Sequence, residues 1–257
     1  MTEPAVSAPT VAPTAALVII GNEVLSGRTK DANAPWLATR LSGMGVRMSE
    51  IRVVADVEAA IVEAVNTLRA RNDYVFTTGG IGPTHDDITT ACVAKAFGVA
   101  VIRHPEADRR LRAHYGLENI NEARMSMADI PETAELIDNP VSVAPGFRLG
   151  NVHVLAGVPP IMQAMFDGIA HTIVGGAPIL SLSLAAHLRE GDLAQALGEI
   201  QAKFKTVDIG SYPFGRGGRI GVSVVLRSAD EAALTAAGEA VKTLMRSLGE
   251  EPEIGSD

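Results

Sequence analysis

The sequence predicts an α/β protein built on a mostly parallel sheet. Three observations carry that expectation. Residues 15–20 are an unbroken apolar run ending at Gly21, the pattern of a strand buried on both faces. Strand-like and helix-like segments then alternate three times within roughly eighty residues, the rhythm of βαβ units with right-handed crossovers. The third strand candidate, residues 74–78, runs directly into Gly79-Gly80-Ile81-Gly82-Pro83. In open α/β sheets, ligands bind beyond the carboxyl ends of the strands.

Each element follows in order. Asp31 or Asn33 is placed to cap a helix with Pro35 in its first turn. Leu37, Leu41 and Met44 form its apolar stripe, and Gly45 ends it. Residues 46–54 are the second strand candidate, with Asp56 just beyond. Val57, Ile61, Val65 and Leu68 recur at helical spacing. After the glycine turn, a helix is expected over residues 88–97, stopped by Gly98. Residues 105–115 form an Arg-rich amphipathic helix and residues 119–127 a shorter one. Ile130-Pro131, Asn139-Pro140 and Ala144-Pro145-Gly146-Phe147 then form a turn-rich excursion. Residues 152–155 are strand-like, and residues 161–173 a long helix packing on the sheet. Gly175-Gly176-Ala177-Pro178 marks an internal boundary. Beyond it, residues 179–185, 207–212 and 220–226 suggest strands and residues 192–204 a helix. Asp230 caps a last helix ending near Leu248. The expected domains are a disordered tail over 1–14, an α/β domain over 15–177, a smaller α+β domain over 178–250 and a flexible tail over 251–257.

Composition excludes several classes. A formal net charge of -8 argues against non-specific nucleic-acid binding, which needs clustered Lys and Arg. It does not exclude an anionic small ligand, because backbone amides at a helix start can hold one. The single cysteine, Cys92, allows no internal disulfide and is expected to be a buried small apolar residue. The six histidines show no close metal-ligand spacing, and neither HExxH nor CxxC occurs. The N-terminal MTEPAVSAPTVAPTAA lacks a basic region ahead of an apolar core, so it is not a signal-peptide pattern. No charge-free apolar run reaches membrane-spanning length. A cytoplasmic protein with no membrane and no nucleic-acid partner is expected.

TTGGIG is neither G-x-G-x-x-G nor G-x-x-x-x-G-K-[ST], and no lysine stands where a P-loop needs one. Neither NAD nor haem is expected. Glycines after a strand serve either as a structural turn or as a close approach of backbone to a ligand. Thr77, Thr78 and the cluster Thr84-His85-Asp86-Asp87 favour an anion-binding turn. Asp86 and Asp87 stand where a helix cap is needed, and one of them is expected to cap it. These carboxylates could also converge with Asp56 and Glu23, which follow the second and first strands. Such a cluster suits Mg²⁺, which binds carboxylates together with substrate phosphate oxygens. His85 is either a surface residue or a ligand contact. Arg28 is a candidate phosphate partner, whereas Arg109, Arg110 and Arg112 read more simply as a solvated helix face. Met125, Met127, Met162 and Met165 read as core or interface packing.

Together these motifs resemble the MoaB/Mog fold family, the molybdopterin-binding domain also found at the front of competence/damage-inducible protein A. Residues 21–29 (GNEVLSGRT), with Asp31 and Asn33, look like the opening motif of that group. Residues 77–89 (TTGGIGPTHDDIT) look like its central motif, and Asn139-Pro140, Ala144-Pro145-Gly146-Phe147 and Gly157-Val158-Pro159 resemble its later loops. The resemblance runs from about Ala15 to Gly175, and the small domain resembles the region that follows in the same group.

The resemblance implies a three-layer αβα sandwich whose glycine-rich turn binds the phosphate of a pterin or nucleotide. It implies Asp56 and Asp87 as catalytic aspartates. Gly21, Asn22, Glu23, Asp31, Asn33, Thr78, Gly79, Gly80, Gly82, Pro83, Thr84, His85, Asn139, Pro145 and Gly146 would contact substrate. Glu23, Asp86 and Asp87 would hold Mg²⁺ or another divalent cation. Related domains handle adenylylated molybdopterin in molybdenum-cofactor enzymes. In the competence-protein group they are associated with metal-dependent cleavage of ADP-ribose-type pyrophosphates, and beside eukaryotic FAD synthase with FAD hydrolysis. The implied ligand is a phosphorylated pterin or an adenine dinucleotide. The alternatives are a molybdopterin adenylyltransferase-like enzyme and a non-catalytic binding or scaffold module. Three departures bear on turnover. Ile161 stands where many relatives have glutamate, Ala156 where proline is usual, and residues 125–127 where many have a lysine-containing segment. The nicotinamide-nucleotide amidase domain that often follows is expected to be absent. A homo-oligomer is expected, a dimer ahead of a trimer.

Overall fold

Residues 12–255 are described by the structure, a computed structural model, and regular structure begins at Thr14. The N-terminal unit runs β1 (Thr14–Ile20), α1 (Asn22–Leu25), α2 (Asn33–Gly43), β2 (Arg47–Val54), α3 (Glu58–Arg69), β3 (Tyr74–Thr78) and α4 (Thr89–Phe97). It continues with β4 (Val101–Arg103), α5 (Pro105–Tyr115), α6 (Glu122–Met125), β5 (Asp129–Pro131), β6 (Glu135–Ile137), β7 (Gly146–Leu149), β8 (Val152–Leu155) and α7 (Pro159–Ile169). The C-terminal unit holds β9 (Leu180–Ala186), α8 (Glu190–Lys203), β10 (Asp208–Arg216), β11 (Arg219–Ser228), α9 (Glu231–Ser247) and β12 (Glu253–Ile254). The described chain forms two compact units, residues 12–42 with 46–176, and residues 177–255 with 43–45.

Among the described residues, the first unit is built on one sheet of order β2-β1-β3-β8-β7-β6. Its first four strands are parallel, and β7 and β6 add an antiparallel edge. The burial of β1 explains its composition: Ala15 to Ile20 are all buried, so no position tolerates a polar side chain. β2, at the edge, alternates exposed and half-buried residues instead. Ile61, Ala64, Val65 and Leu68 of α3 and Cys92 and Val93 of α4 pack against Val75, Val152 and Val154 of the sheet. Leu37 and Leu41 of α2 and Met162, Met165 and Phe166 of α7 are buried as well. The Phe166 ring lies 5.6 Å from both Trp36 and Phe76. This is a three-layer α/β fold with a mostly parallel central sheet. Each fully buried Leu, Ile or Phe contributes about 1.5–3 kcal/mol.

In the second unit, β10-β11-β9-β12 form an antiparallel sheet. Leu184, Val222, Val224 and Leu226 of that sheet share a core with Leu193 and Leu197 of α8 and Leu234, Ala237, Val241 and Met245 of α9.

Asp31, not Asn33, is the cap of α2: its Oδ2 accepts from the Ala34 N–H at 2.8 Å. Asp230 Oδ1 accepts from the Ala233 N–H at 3.0 Å, capping α9 as expected. Three expectations are refined. The turn-rich excursion over residues 130–147 also holds β6 and the start of β7, short because prolines and glycines flank them. The tail over 251–257 contains β12, whose Glu253 and Ile254 pair with Ala185 and Leu184. β1 starts at Thr14, one residue before the expected boundary. Residues 1–11, 256 and 257 lie outside the described residues. No helix among the described residues is long and apolar enough to cross a membrane.

Candidate functional site

The strand order places a topological switch between β1 and β3. The chain leaves β1 toward β2 on one side, and β3 continues the sheet on the other. In parallel sheets this is where a crevice opens at the carboxyl edge. Ile20 pairs with Val54, Ile19 with Thr78, and Thr78 with Leu155. The loops that follow these four strands therefore leave from one edge, carrying Gly21 to Glu23, Asp56, Gly79 to Asp87, and Gly157.

The glycine turn is built for close packing. Gly79 and Gly80 have φ of 101° and 67°, which only glycine adopts without strain. A Cβ on Gly79 would overlap the Ile20 carbonyl, so the β1 and β3 loops touch through backbone alone. One on Gly157 would lie 3.1 Å from Gly79 Cα. Thr89, buried in the first turn of α4, fixes the turn from below: its hydroxyl donates to the Gly79 carbonyl at 2.9 Å and its N–H to the Gly80 carbonyl at 3.0 Å.

The carboxylates are held in different ways. Asp56 Oδ2 accepts from the Asn22 N–H at 2.8 Å, tying the β2 loop to the β1 loop. Glu23 folds back so that a Cβ on Gly21 would meet its carboxylate at 2.5–2.8 Å. Asp87 Oδ2 accepts from the Thr84 N–H at 2.8 Å and from the Thr84 hydroxyl at 2.5 Å. The same hydroxyl is 2.6 Å from Asp86 Oδ1 and, with the Asp86 N–H, holds that carboxyl below its usual range. The aspartates therefore do not cap α4, whose N-cap is Ile88 with no side-chain partner. The Thr84 donors lie within reach first.

The two carboxylates share the single Thr84 hydroxyl hydrogen, a three-centre arrangement that keeps both near one point. A cation beside Asp86 and Asp87 would offset their charges. Among the described residues, however, no three His, Cys, Asp or Glu side chains converge closely enough to hold a metal ion alone. Glu23, Asp86 and Asp87 do not form a ready cage. The donor set fits Mg²⁺, which is held by one or two carboxylates and completed by water and ligand phosphates.

Other residues sort by location. Asn33 is buried, donates from Nδ2 to the Gly157 carbonyl at 2.7 Å, and leaves Oδ1 without a partner among the described residues. Thr77 and Thr78 end β3 with buried hydroxyls that are also unpaired. Pro83, Thr84 and His85 are exposed, as is Arg28. Asn139 is not available to a ligand. Its Oδ1 accepts from the Val141 and Ser142 N–H groups, and its Nδ2 donates to Ser142 Oγ and the Ala144 carbonyl. It staples a loop in which Val143 has φ of 68°, a strained value for a β-branched residue. Gly146 serves strand packing, because a Cβ there would overlap the Val154 carbonyl. Pro145 is buried and lines a cavity of about 210 Å³ together with Gly82, Asp87, Thr90, Ser126 and Met127. Thr89, Thr90 and Ser126 carry no signal in one sequence that separates them from ordinary helix residues.

Comparison with known proteins agrees with this architecture. The family described as a probable molybdopterin binding domain matches residues 16–175, and the middle domain of FAD synthase matches residues 178–251. A protein of Pyrobaculum calidifontis is 37% identical over 214 residues, covering 79% of this chain and 82% of that one. A probable FAD synthase of Caenorhabditis elegans is 34% identical over 226 residues, covering 78% of this chain and 44% of that longer one. The crystal structure of the protein CinA from Thermoplasma acidophilum superposes with a TM-score of 0.60 at 33% identity, over 63% of this chain and 98% of that one. With its glycine turn, its topological switch between β1 and β3 and this match over most of its length, the chain belongs to the family of probable molybdopterin-binding domains.

Proposed function

We propose that the crevice binds a phosphorylated pterin or an adenine dinucleotide and, with a divalent cation, hydrolyses its pyrophosphate bond. The observation that carries this reading is the meeting, at one sheet edge, of a side-chain-free glycine turn with acidic loops from three adjacent strands. The turn suits phosphate, which backbone amides bind without competing side chains. Relatives named FAD synthase, and the match to the middle domain of FAD synthase, support a nucleotide ligand.

Asp56 holds the β1 loop against the β2 loop and so keeps the floor in place. Asp87 spends Oδ2 on Thr84 and leaves Oδ1 without a hydrogen bond among the described residues. Oδ1 is the group assigned to take a proton from water. The water oxygen bonds to phosphorus, the bridging P–O bond breaks, and the bridging oxygen leaves with the other phosphate. ADP-ribose would give AMP and ribose 5-phosphate. A bound Mg²⁺ supplies charge neutralisation at the phosphoryl oxygens.

The test is incubation of the purified protein with ADP-ribose or FAD, with Mg²⁺ or with a chelator, followed by separation of products. Metal-dependent cleavage that Asp87→Asn reduces at least about 100-fold is expected. Turnover unchanged in that variant refutes the residue assignment. One observation favours a second reading, a binding module without turnover. Met127 lines the cavity beside Asp87, and a thioether offers a leaving phosphate no charge. Saturable binding with no cleavage of either dinucleotide would select it.

A further inference from the structure

The C-terminal unit carries a cavity that the crevice reading does not use. Its antiparallel sheet buries one face under α8 and α9. On the opposite face, near the ends of β9 and β10, lies a cavity of about 320 Å³. Its floor is a hydroxyl pair: Ser183 Oγ and Ser223 Oγ stand 3.0 Å apart, and Ser183 is only 7% exposed. Its wall is aromatic. The Phe214 ring lies over Gly221, where a Cβ would overlap it, and the His187 ring meets it edge-on at 5.8 Å and 63°. β12 closes the far side beside β9.

The charges around the mouth set this cavity apart from an ordinary solvated sheet face. Besides His187, four acidic or basic side chains line it, and two of them are already matched. Glu250 pairs with Arg219 at 3.6 Å and Glu251 with Arg246 at 2.7 Å. The other two, Arg216 and Glu253, pair neither with each other nor with any other charged group among the described residues. Arg216 Cζ is 5.9 Å from the Phe214 centroid, the outer limit of a cation–π contact, so its guanidinium remains able to turn to a carboxylate.

We propose that this cavity is a binding site for a free aromatic α-amino acid. Its carboxylate pairs with Arg216, its ammonium with Glu253, and its ring enters the corner made by Phe214 and His187. Guanidinium and carboxylate form strong paired hydrogen bonds, and a third ring packs edge-on or offset against two at such an angle. The serine hydroxyls donate or accept toward whichever polar atom reaches the floor. The site is independent of the crevice and of any reaction there.

The test is isothermal titration of the full-length protein with L-phenylalanine, L-tyrosine and L-tryptophan. N-acetyl and amide derivatives of each, together with adenosine and cytidine, serve as comparisons. At least one free amino acid should bind saturably. Blocking either its ammonium or its carboxylate should weaken binding at least 10-fold. Arg216→Gln and Glu253→Gln, both at exposed positions, should each weaken it at least 5-fold without lowering the melting temperature. Ser223→Val should weaken it as well, as a check on the floor. The proposal is overturned if no free amino acid binds or if blocked derivatives bind equally well. Nucleosides binding in preference, or affinity unmoved in both charge variants, would overturn it too.

Discussion

Replacing His153 with phenylalanine should change how the N-terminal unit responds to acid. His153 sits on β8 in a row across the sheet, with Glu135 and Arg148 on one side and Phe76 on the other. Its ring stacks on Phe76 at 5.0 Å, it is 2% exposed, and Nδ1 has no partner among the described residues. Burial, reinforced by the neighbouring Arg148 charge, pushes the imidazole down from 6.5 to about 4. The unfolded chain therefore takes up a proton at this residue between about pH 6.5 and pH 4 while the folded chain does not. Stability from the neutral ring is complete above pH 6.5 and is lost as pH falls, levelling off below about pH 4. At about 1.36 kcal/mol per pH unit, the loss comes to about 3 kcal/mol. Phenylalanine keeps the stacking and removes the titration. Trp36, the single tryptophan, packs edge-on against Phe166 in the same unit, so its fluorescence reports that unit's unfolding. Urea unfolding should show the wild type losing about 3 kcal/mol more than the variant between pH 6.5 and pH 4. Parallel curves, within about 0.5 kcal/mol, would refute a buried neutral histidine.

Three further outcomes follow from the site. Gly82→Ala should fold normally, since Gly82 has no left-handed φ, but its methyl would lie 2.7 Å from Asp87 Oδ2. Dinucleotide affinity or turnover should fall about 10- to 100-fold, by loss of charge-assisted hydrogen bonds worth roughly 1.5–3 kcal/mol, with thermal unfolding as the control. Val143→Gly should release the strain at φ 68° and raise stability by about 0.5–1 kcal/mol, read as a melting-temperature rise of a few degrees. Asn139→Ala should cost about 2–4 kcal/mol by urea unfolding, because it strands two backbone N–H groups and a carbonyl.

The sheet's centre was legible because its residues obey one constraint at a time. β1, buried from Ala15 to Ile20, is wholly apolar there, and α3 carries a clean 3.6-residue stripe. β4, β5, β6, β7 and β12 were not legible, because strands of two to four residues hold too few alternations to register as a period; β8, equally short, stood out only by its branched apolar residues. Within the site, the glycine turn and the strand-end acids were visible as composition at element boundaries. The destination of each hydrogen bond was not. Asp86 and Asp87 stand where a cap is needed, yet Thr84 takes them. Asn139 looks like a ligand residue by its motif, yet every polar atom of its side chain is used within its own loop. Those outcomes depend on local dihedral angles, which one sequence does not encode in any pattern of residue types.

The hydrogen bond from Asn33 to the Gly157 carbonyl joins positions 124 residues apart, and Gly157 leans on Gly79. A molecule lodged among these three segments therefore works as a clasp on the polypeptide. Closing a circuit of that length costs the loose chain about 4 kcal/mol of configurational entropy, and an occupant that bridges its ends must depart before the chain can open. At a concentration 100 times its dissociation constant it adds about 2.7 kcal/mol. If the proposed ligand binds there, resistance to proteolysis should rise with its concentration, so that the lifetime of the protein reports its supply.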